Sequence, residues 1–268
     1  MSKIEFKDVA LEYESKGKKK RVLDNINLNI DENEFVCLIG PSGCGKSTLL
    51  SLVSGLNKPT KGNVLLNGEK IKGAGTDRGV VFQHYSLFPW MTAKKNVMFG
   101  IKQAKKEKEH KKIEERADYF LEKVELADSS DKYPYELSGG MQQRVALART
   151  LAMDTDILLM DEPFGAIDPK VRYELQELTL DLCKKGEKKK TAIFVTHDID
   201  EAIVLADRII FMKPGKIQKD IKVSDEILEV KNRAELYTSN EYKKLHDNLV
   251  NMFYQDVAEN IGGNEVVL

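Results

Sequence analysis

Hydrophobic and polar positions alternate along the N-terminal stretch of the chain. Ile4 and Phe6, Leu11 and Tyr13, and then Leu23, Ile26, Leu28 and Ile30 keep a period close to two. That period predicts antiparallel strands with one face buried. Between them, the segment 15–21 carries lysines, an arginine and a glycine, and reads as a solvated hairpin loop. The pattern then changes. Short unbroken apolar runs, Phe35 to Ile39, Gly79 to Phe82, Ile157 to Met160, Ala192 to Val195 and Arg208 to Met212, predict strands buried on both faces. Between the last few, Val171, Leu175, Leu178 and Leu182 recur at helical spacing. Strands that alternate with helices imply a mostly parallel sheet.

Residues from about 84 to 152 read as a mostly helical lobe inserted into that sheet, with a highly charged stretch over 104–110 that carries no strand signal. Residues 186–190 read as another exposed charged turn. From residue 224 the chain is helical again. Thr238-Ser239-Asn240-Glu241 has the form of a capping box, and Tyr242, Leu245, Leu249 and Phe253 mark one face expected to pack on the parent domain. The last residues, 262–268, are expected to be mobile. The predicted division is therefore a body over 1–223 and a helical tail over 224–268.

Composition narrows the class only a little. At 268 residues, 41% hydrophobic and 32% charged, the chain reads as an ordinary globular protein with ample core. A net charge of -1 gives no electrostatic case for nucleic acid. No apolar run approaches the ~20 residues that a membrane-spanning helix needs, and the start lacks the apolar segment of a signal peptide. A cytoplasmic protein that meets membranes only through a partner is expected. Cys37, Cys44 and Cys183 show no metal-type or disulfide pattern.

The candidate chemistry begins where the first buried run ends. Gly40-Pro41-Ser42-Gly43-Cys44-Gly45-Lys46-Ser47-Thr48 fits the phosphate-loop pattern, after a predicted strand and before an apolar helix, which is the context that separates such a loop from a chance glycine-rich turn. Its glycines let backbone N–H groups turn inward on phosphate oxygens, and the helix N-terminus adds positive potential. Lys46 is expected to reach the β- and γ-phosphates, and Ser47 to bind Mg²⁺. The apolar run at 157–160 ends in Asp161 and Glu162. A carboxylate pair after a strand is often only a surface cap. Beside a phosphate loop, Asp161 is expected to hold Mg²⁺ and Glu162 to take a proton from the attacking water.

Leu137-Ser138-Gly139-Gly140-Met141-Gln142-Gln143-Arg144 is a second glycine-rich helix start, followed by Val145, Ala148 and Leu151 on one face. It resembles the signature motif of ATP-binding cassette (ABC) ATPases. That resemblance implies a P-loop NTPase fold: a RecA-like parallel-sheet core, an N-terminal antiparallel β subdomain and an inserted α-helical subdomain. It also implies a head-to-tail homodimer in which Ser138, Gly139, Gly140 and Gln142 of one copy cover the ATP of the other. Gln83 matches the family's glutamine that contacts Mg²⁺ and the attacking water. The stretch Phe164 to Asp168 looks like its D-loop, with Ile167 where leucine is usual. His197 matches its switch histidine, and Tyr13 the aromatic residue that stacks on adenine, although a strand tyrosine is ordinarily packing.

After Gln83 comes His84-Tyr85-Ser86-Leu87-Phe88-Pro89-Trp90-Met91-Thr92. Its aromatics read either as core of the helical lobe or as a socket for a short helix of a transmembrane permease, contacted through Tyr85 to Met91. Leu87 to Ala93, with Asn96-Val97-Met98-Phe99-Gly100, resembles the nitrate, taurine and aliphatic sulfonate branch of ABC importers. Two features depart from that branch: His84 replaces a common acidic residue, and 222–226 replaces a Pro/Arg-rich segment. The resemblance implies an ATPase that energises import, working with a permease and an extracytoplasmic solute-binding protein at the cytoplasmic face of the cell membrane. The rival from another class is a soluble, non-transport ABC ATPase such as the motor of an iron–sulfur assembly scaffold.

Overall fold

The computed structural model describes residues 2–262 apart from 16, 84, 105–106, 186–187, 225–226 and 228–232. His84, parts of the charged stretches near 105 and 186, part of 222–226 and the end at 263–268 thus lie outside the described residues.

The alternating N-terminal stretch forms a long hairpin of β1 (Ser2–Ser15) and β2 (Lys18–Asp31), which lies in an antiparallel sheet with β4 (Lys61–Leu66) and β5 (Glu69–Lys70) in the order β2-β1-β4-β5. The solvated loop expected over 15–21 is shorter than its composition suggested. Lys18 to Arg21 continue β2, with Lys18 opposite Ser15 and Lys20 opposite Tyr13. Their side chains are exposed, so this end of the ladder carries no hydrophobic alternation although its backbone stays paired. The β4–β5 hairpin was not foreseen. Its signal was Asn67-Gly68, and both residues take the left-handed conformation such a turn demands (φ 51° and 79°).

The apolar runs form β3 (Phe35–Ile39), β6 (Arg78–Val81), β7 (Ile157–Asp161), β8 (Thr191–Val195) and β9 (Arg208–Lys213). With β10 (Lys216–Lys222) they build a six-stranded sheet in the order β10-β9-β3-β8-β7-β6. Its interior pairs are parallel, and β10 closes one edge antiparallel to β9.

Strand periodicity divides the core into two. Phe35, Cys37, Leu158, Met160, Phe194 and Phe211 face one side, toward the helices. Val36, Leu38, Leu159, Val195, Ile210 and Met212 face the other, toward α1 (Lys46–Ser54) and the antiparallel sheet. Because each face has its own cover, these strands have no polar side, as the unbroken runs implied.

The inserted lobe holds α2 (Ala93–Ala104), α3 (His110–Lys123) and α4 (Gly139–Ala152). α5 (Pro169–Leu180) and α6 (Ile199–Leu205) flank the sheet. The tail contributes α7 (Arg233–Thr238) and α8 (Asn240–Gly262). Tyr242 and Leu249 are buried in the first core, and Leu245 and Phe253 pack against it, as their spacing predicted. The cap at the start of α8 sits one residue later than expected. Ser239 Oγ accepts the Tyr242 N–H, while the Thr238 hydroxyl turns back to donate to the carbonyls of Ala234 and Glu235.

Candidate nucleotide site

The phosphate loop links β3 to α1 across a narrow gap. Gly40 (φ 144°) and Gly45 (φ 114°) have no room for a side chain: a Cβ on Gly40 would stand 2.2 Å from the Met212 carbonyl oxygen, and one on Gly45 2.7 Å from Leu23 Cδ2. Close approach, not flexibility alone, requires glycine there. The Lys46 ammonium is buried and curls back on its own loop, donating to Gly40 O at 2.7 Å and Pro41 O at 3.0 Å. Cys44 is buried as well, with its Sγ 3.8 Å from that ammonium. Burial pushes its thiol above the ordinary cysteine range, although Lys46 pulls the other way.

The end of β7 brings the acidic pair to the same place. Ser47 Oγ donates to Asp161 Oδ1 at 3.0 Å. A hydroxyl and a carboxylate that meet directly form a hard-oxygen donor set of the kind Mg²⁺ prefers, so the residues present fit that ion. Glu162 takes a left-handed backbone conformation (φ 48°) that non-glycine residues rarely adopt, and its N–H donates to Val195 O at 3.0 Å. Glu162 Oε2 lies 3.4 Å from Gln83 Nε2 and 3.5 Å from His197 Nδ1. Two residues from distant parts of the sequence, Gln83 and His197, thus converge on one carboxylate oxygen of a third.

A cleft of about 600 Å³ is lined by Tyr13, Ser42, Lys46, Ser47, Gln83 and Glu162, together with Gly43, Gly45 and Thr48 of the loop. Tyr13 is 41% exposed, and its hydroxyl accepts a hydrogen bond from Asn57 Nδ2 at 3.1 Å. The ring therefore stands at the mouth of the cleft rather than in the core. Lys20 and Arg21, the residues first read as loop, also line the cleft.

The signature residues do not line this cleft. Ser138 caps α4, its Oγ accepting the Met141 N–H at 3.3 Å, so the helix start presents Gly139 and Gly140. A Cβ on Gly140 would stand 2.8 Å from the Ala166 carbonyl oxygen. Gln142 turns its carboxamide back to the carbonyls of Pro134 and Leu137. Asp168 caps α5 by accepting the Val171 N–H at 3.1 Å.

Gln143, next to Gln142 in the signature motif, was not singled out in the sequence. It is buried, donates to Glu162 O at 2.8 Å and accepts from the Ala166 N–H at 3.0 Å, tying the signature helix to the turn that aims Glu162. Nothing local separates two consecutive glutamines; only the packing of α4 on the 162–166 turn does. The aromatic stretch after Gln83 splits between its two readings. Leu87 packs on the core, Phe88 contacts the rings of Phe99 and Trp90, and Trp90 itself is 69% exposed.

Comparison with known proteins accords with this geometry. The family model described as ABC transporter matches residues 23–165. The nitrate import ATP-binding protein of a Synechocystis species is 46% identical over 213 residues, 78% of each chain. The taurine import ATP-binding protein of Roseobacter denitrificans is 40% identical over 275 aligned positions, 99% of each chain. Among solved structures, an ATP-binding cassette captured as a dimer in a post-hydrolysis state with ADP and Pi superposes with a TM-score of 0.76 at 35% identity. The match covers 82% of this chain and 99% of that one. With its phosphate loop, acidic pair and signature helix all in place, the chain belongs to the ABC transporter family, among that family's ATP-binding ATPases.

Proposed function

We propose that this protein hydrolyses ATP in the 600 Å³ cleft to drive a membrane importer of the nitrate, taurine and sulfonate type. The observation that carries the catalytic reading is the convergence of Gln83 and His197 on Glu162 Oε2, beside Lys46 and the Ser47–Asp161 pair.

The chemistry follows from these groups. Lys46 now bonds to two neutral carbonyls; phosphate oxygens are charged acceptors and would draw it out of its loop. Ser47 and Asp161, with Gln83 close by, would hold Mg²⁺, which neutralises phosphate charge. Water attacks the γ-phosphorus, the bond to the ADP oxygen breaks, and Glu162 Oε2 takes the proton of the water. His197 and Gln83, at 3.5 Å and 3.4 Å, fix that carboxylate and the reacting group it faces. Tyr13 at the mouth offers a ring face to adenine.

Ser138, Gly139, Gly140 and Gln142 lie outside the cleft of their own chain, which supports their service to a second copy packed head to tail. Asp168, at the start of α5, sits beside the turn that carries the acidic pair and would face the same interface. ATP binding then closes the dimer and hydrolysis opens it. Among the described residues no helix is long and apolar enough to cross a membrane. The motion is therefore passed to a permease, docked on the exposed Trp90 and its neighbours between Tyr85 and Met91 at the cytoplasmic face, with an extracytoplasmic protein delivering the solute. In this reading residues 1–223 are the motor and 224–268 an appended tail.

Glu162→Gln tests the catalytic reading. It should abolish ATP turnover while leaving ATP binding intact and stabilising the dimer in Mg-ATP, as measured by phosphate release and size-exclusion chromatography. Turnover at the wild-type rate would refute the assignment of the base.

A further inference from the structure

The tail invites a question that packing alone does not answer, because two of its polar side chains reach the segment that carries His197. This segment is closed by a small bracket. Thr196 Oγ accepts the Asp198 N–H at 3.0 Å and donates to Glu201 Oε2 at 2.7 Å, while Asp198 Oδ1 accepts the Glu201 N–H at 3.1 Å. The Thr196 N–H is tied to Leu38 O in the sheet. His197 projects from the middle of the bracket, exposed apart from its contact with Glu162. Its position therefore depends on the start of α6.

The tail grips that start at two consecutive residues. On one side, the Tyr242 hydroxyl hydrogen-bonds to Asp200 Oδ1, His246 Nε2 lies 3.7 Å from the same oxygen, and the Tyr242 and His246 rings stack at 6.0 Å. On the other side, Arg233 donates to Gln176 Oε1 at 2.6 Å, and Gln176 Nε2 donates to Glu201 Oε1 at 3.0 Å. Arg233 is itself held, paired with Glu177 at 2.7 Å and seated 4.4 Å over the Tyr173 ring.

Glu201 is the joint between tail and bracket. It is buried, and burial pushes its carboxyl above the usual carboxylate range, although the hydrogen bonds from Thr196 and Gln176 and the charge of Arg172 pull the other way. A buried carboxyl is a costly way to glue two helices, which apolar side chains would do as well or better. What it supplies instead is direction, since its two oxygens bond to different elements. We propose that the C-terminal helices are a positioning element for His197: Arg233, through Gln176 and Glu201, and Tyr242, through Asp200, set the start of α6 and so the approach of His197 to Glu162. The proposal rests on the reading of His197 and Glu162 as the hydrolytic pair. It assigns the tail a role in turnover rather than in nucleotide affinity, because none of the described tail residues lines the cleft.

The test uses the full chain with Arg233→Met and Tyr242→Phe. Steady-state ATPase assays should show kcat down by roughly tenfold, as expected for a misplaced catalytic group, with KM for Mg-ATP within twofold of wild type. Arg233→Lys, which keeps a donor toward Gln176, should recover part of the loss. The chain has 4 histidines, so imidazole resonances are few, and His197→Ala identifies the signal of His197. That signal should move in both tail variants. An unmoved His197 signal, or a kcat equal to wild type, overturns the proposal, and so does a loss that appears in KM instead of kcat. If Arg233→Met does not fold, Tyr242→Phe, which removes one oxygen atom and keeps the ring stack, decides alone. Should Glu162→Gln and His197→Ala both turn over ATP at the wild-type rate, the catalytic reading falls first, and the tail's effect on the His197 signal is then a separate result.

Discussion

The aromatic loop after Gln83 owes its shape to one buried amide. Asn96, on the first turn of α2, is fully buried. Its Oδ1 accepts the Phe88 N–H at 2.9 Å, and its Nδ2 donates to Phe88 O, Met91 O and Thr92 O at 3.2, 3.1 and 3.0 Å. Asn96→Leu nearly conserves volume, so cavity formation is a minor effect. The Phe88 carbonyl keeps the Met91 N–H and the Thr92 carbonyl keeps the N–H of residue 96, which leaves the Phe88 N–H and the Met91 carbonyl without their partner. An N–H without a partner costs about 1–3 kcal/mol when buried, and less where it is part-buried as here; with each lost hydrogen bond at about 1 kcal/mol, a destabilisation of about 2–3 kcal/mol is expected. For a chain of this size, at about 2 °C per kcal/mol, that lowers Tm by roughly 4–6 °C. Urea denaturation gives the free-energy change from the midpoint. The affinity for a fluorescent ATP analogue should stay within twofold of wild type, since Asn96 lies in the helical lobe and does not line the cleft. A loss below about 0.5 kcal/mol, the size of an ordinary surface substitution, would show that the amide does not hold this loop.

Three other outcomes follow from the same structure. Lys46→Ala should weaken Mg-ATP binding at least tenfold in equilibrium titration, because it removes the ammonium buried beneath the phosphate loop; equal affinity would contradict that placement. Trp90→Ala should leave basal ATPase activity and Tm unchanged, since the ring is 69% exposed, while reducing co-purification with the permease from detergent-solubilised membranes; unfolding would instead mark Trp90 as core. The thiols of Cys37, Cys44 and Cys183 are all buried, and burial pushes each above its ordinary value, Cys183 to about 12. At pH 8 the native protein should therefore react with iodoacetamide far more slowly than the urea-unfolded chain, whose thiols ionise near pH 8.5.

Much of this molecule is legible in its sequence. Unbroken apolar runs marked the parallel strands because a strand covered on both faces has no polar side to show, as the split of Val36 and Leu38 from Phe35 and Cys37 between two cores bears out. The glycines at 40 and 45 and the acidic pair at the end of β7 were legible because their chemistry is local: a loop that turns against Met212 and Leu23, and a strand end that opens on it. What was misread was also local. The lysines at 18–20 looked like loop because exposure removes alternation without breaking a ladder, and the α8 cap lay one residue later because either Thr238 or Ser239 could have accepted a backbone N–H.

The sequence by itself determined most of the elements and the phosphate loop, since these follow from periodicity or from residue types at fixed short spacing. Only the tertiary structure decided which distant side chains meet. It aimed Glu162 at Gln83 and His197, told Gln143 from Gln142, left Trp90 exposed and Leu87 packed, and joined Arg233 to Glu201 through Gln176. The physical reason is that hydrogen bonds between residues far apart in the chain are set by the packing of the elements that carry them, and no local pattern in the sequence records that packing.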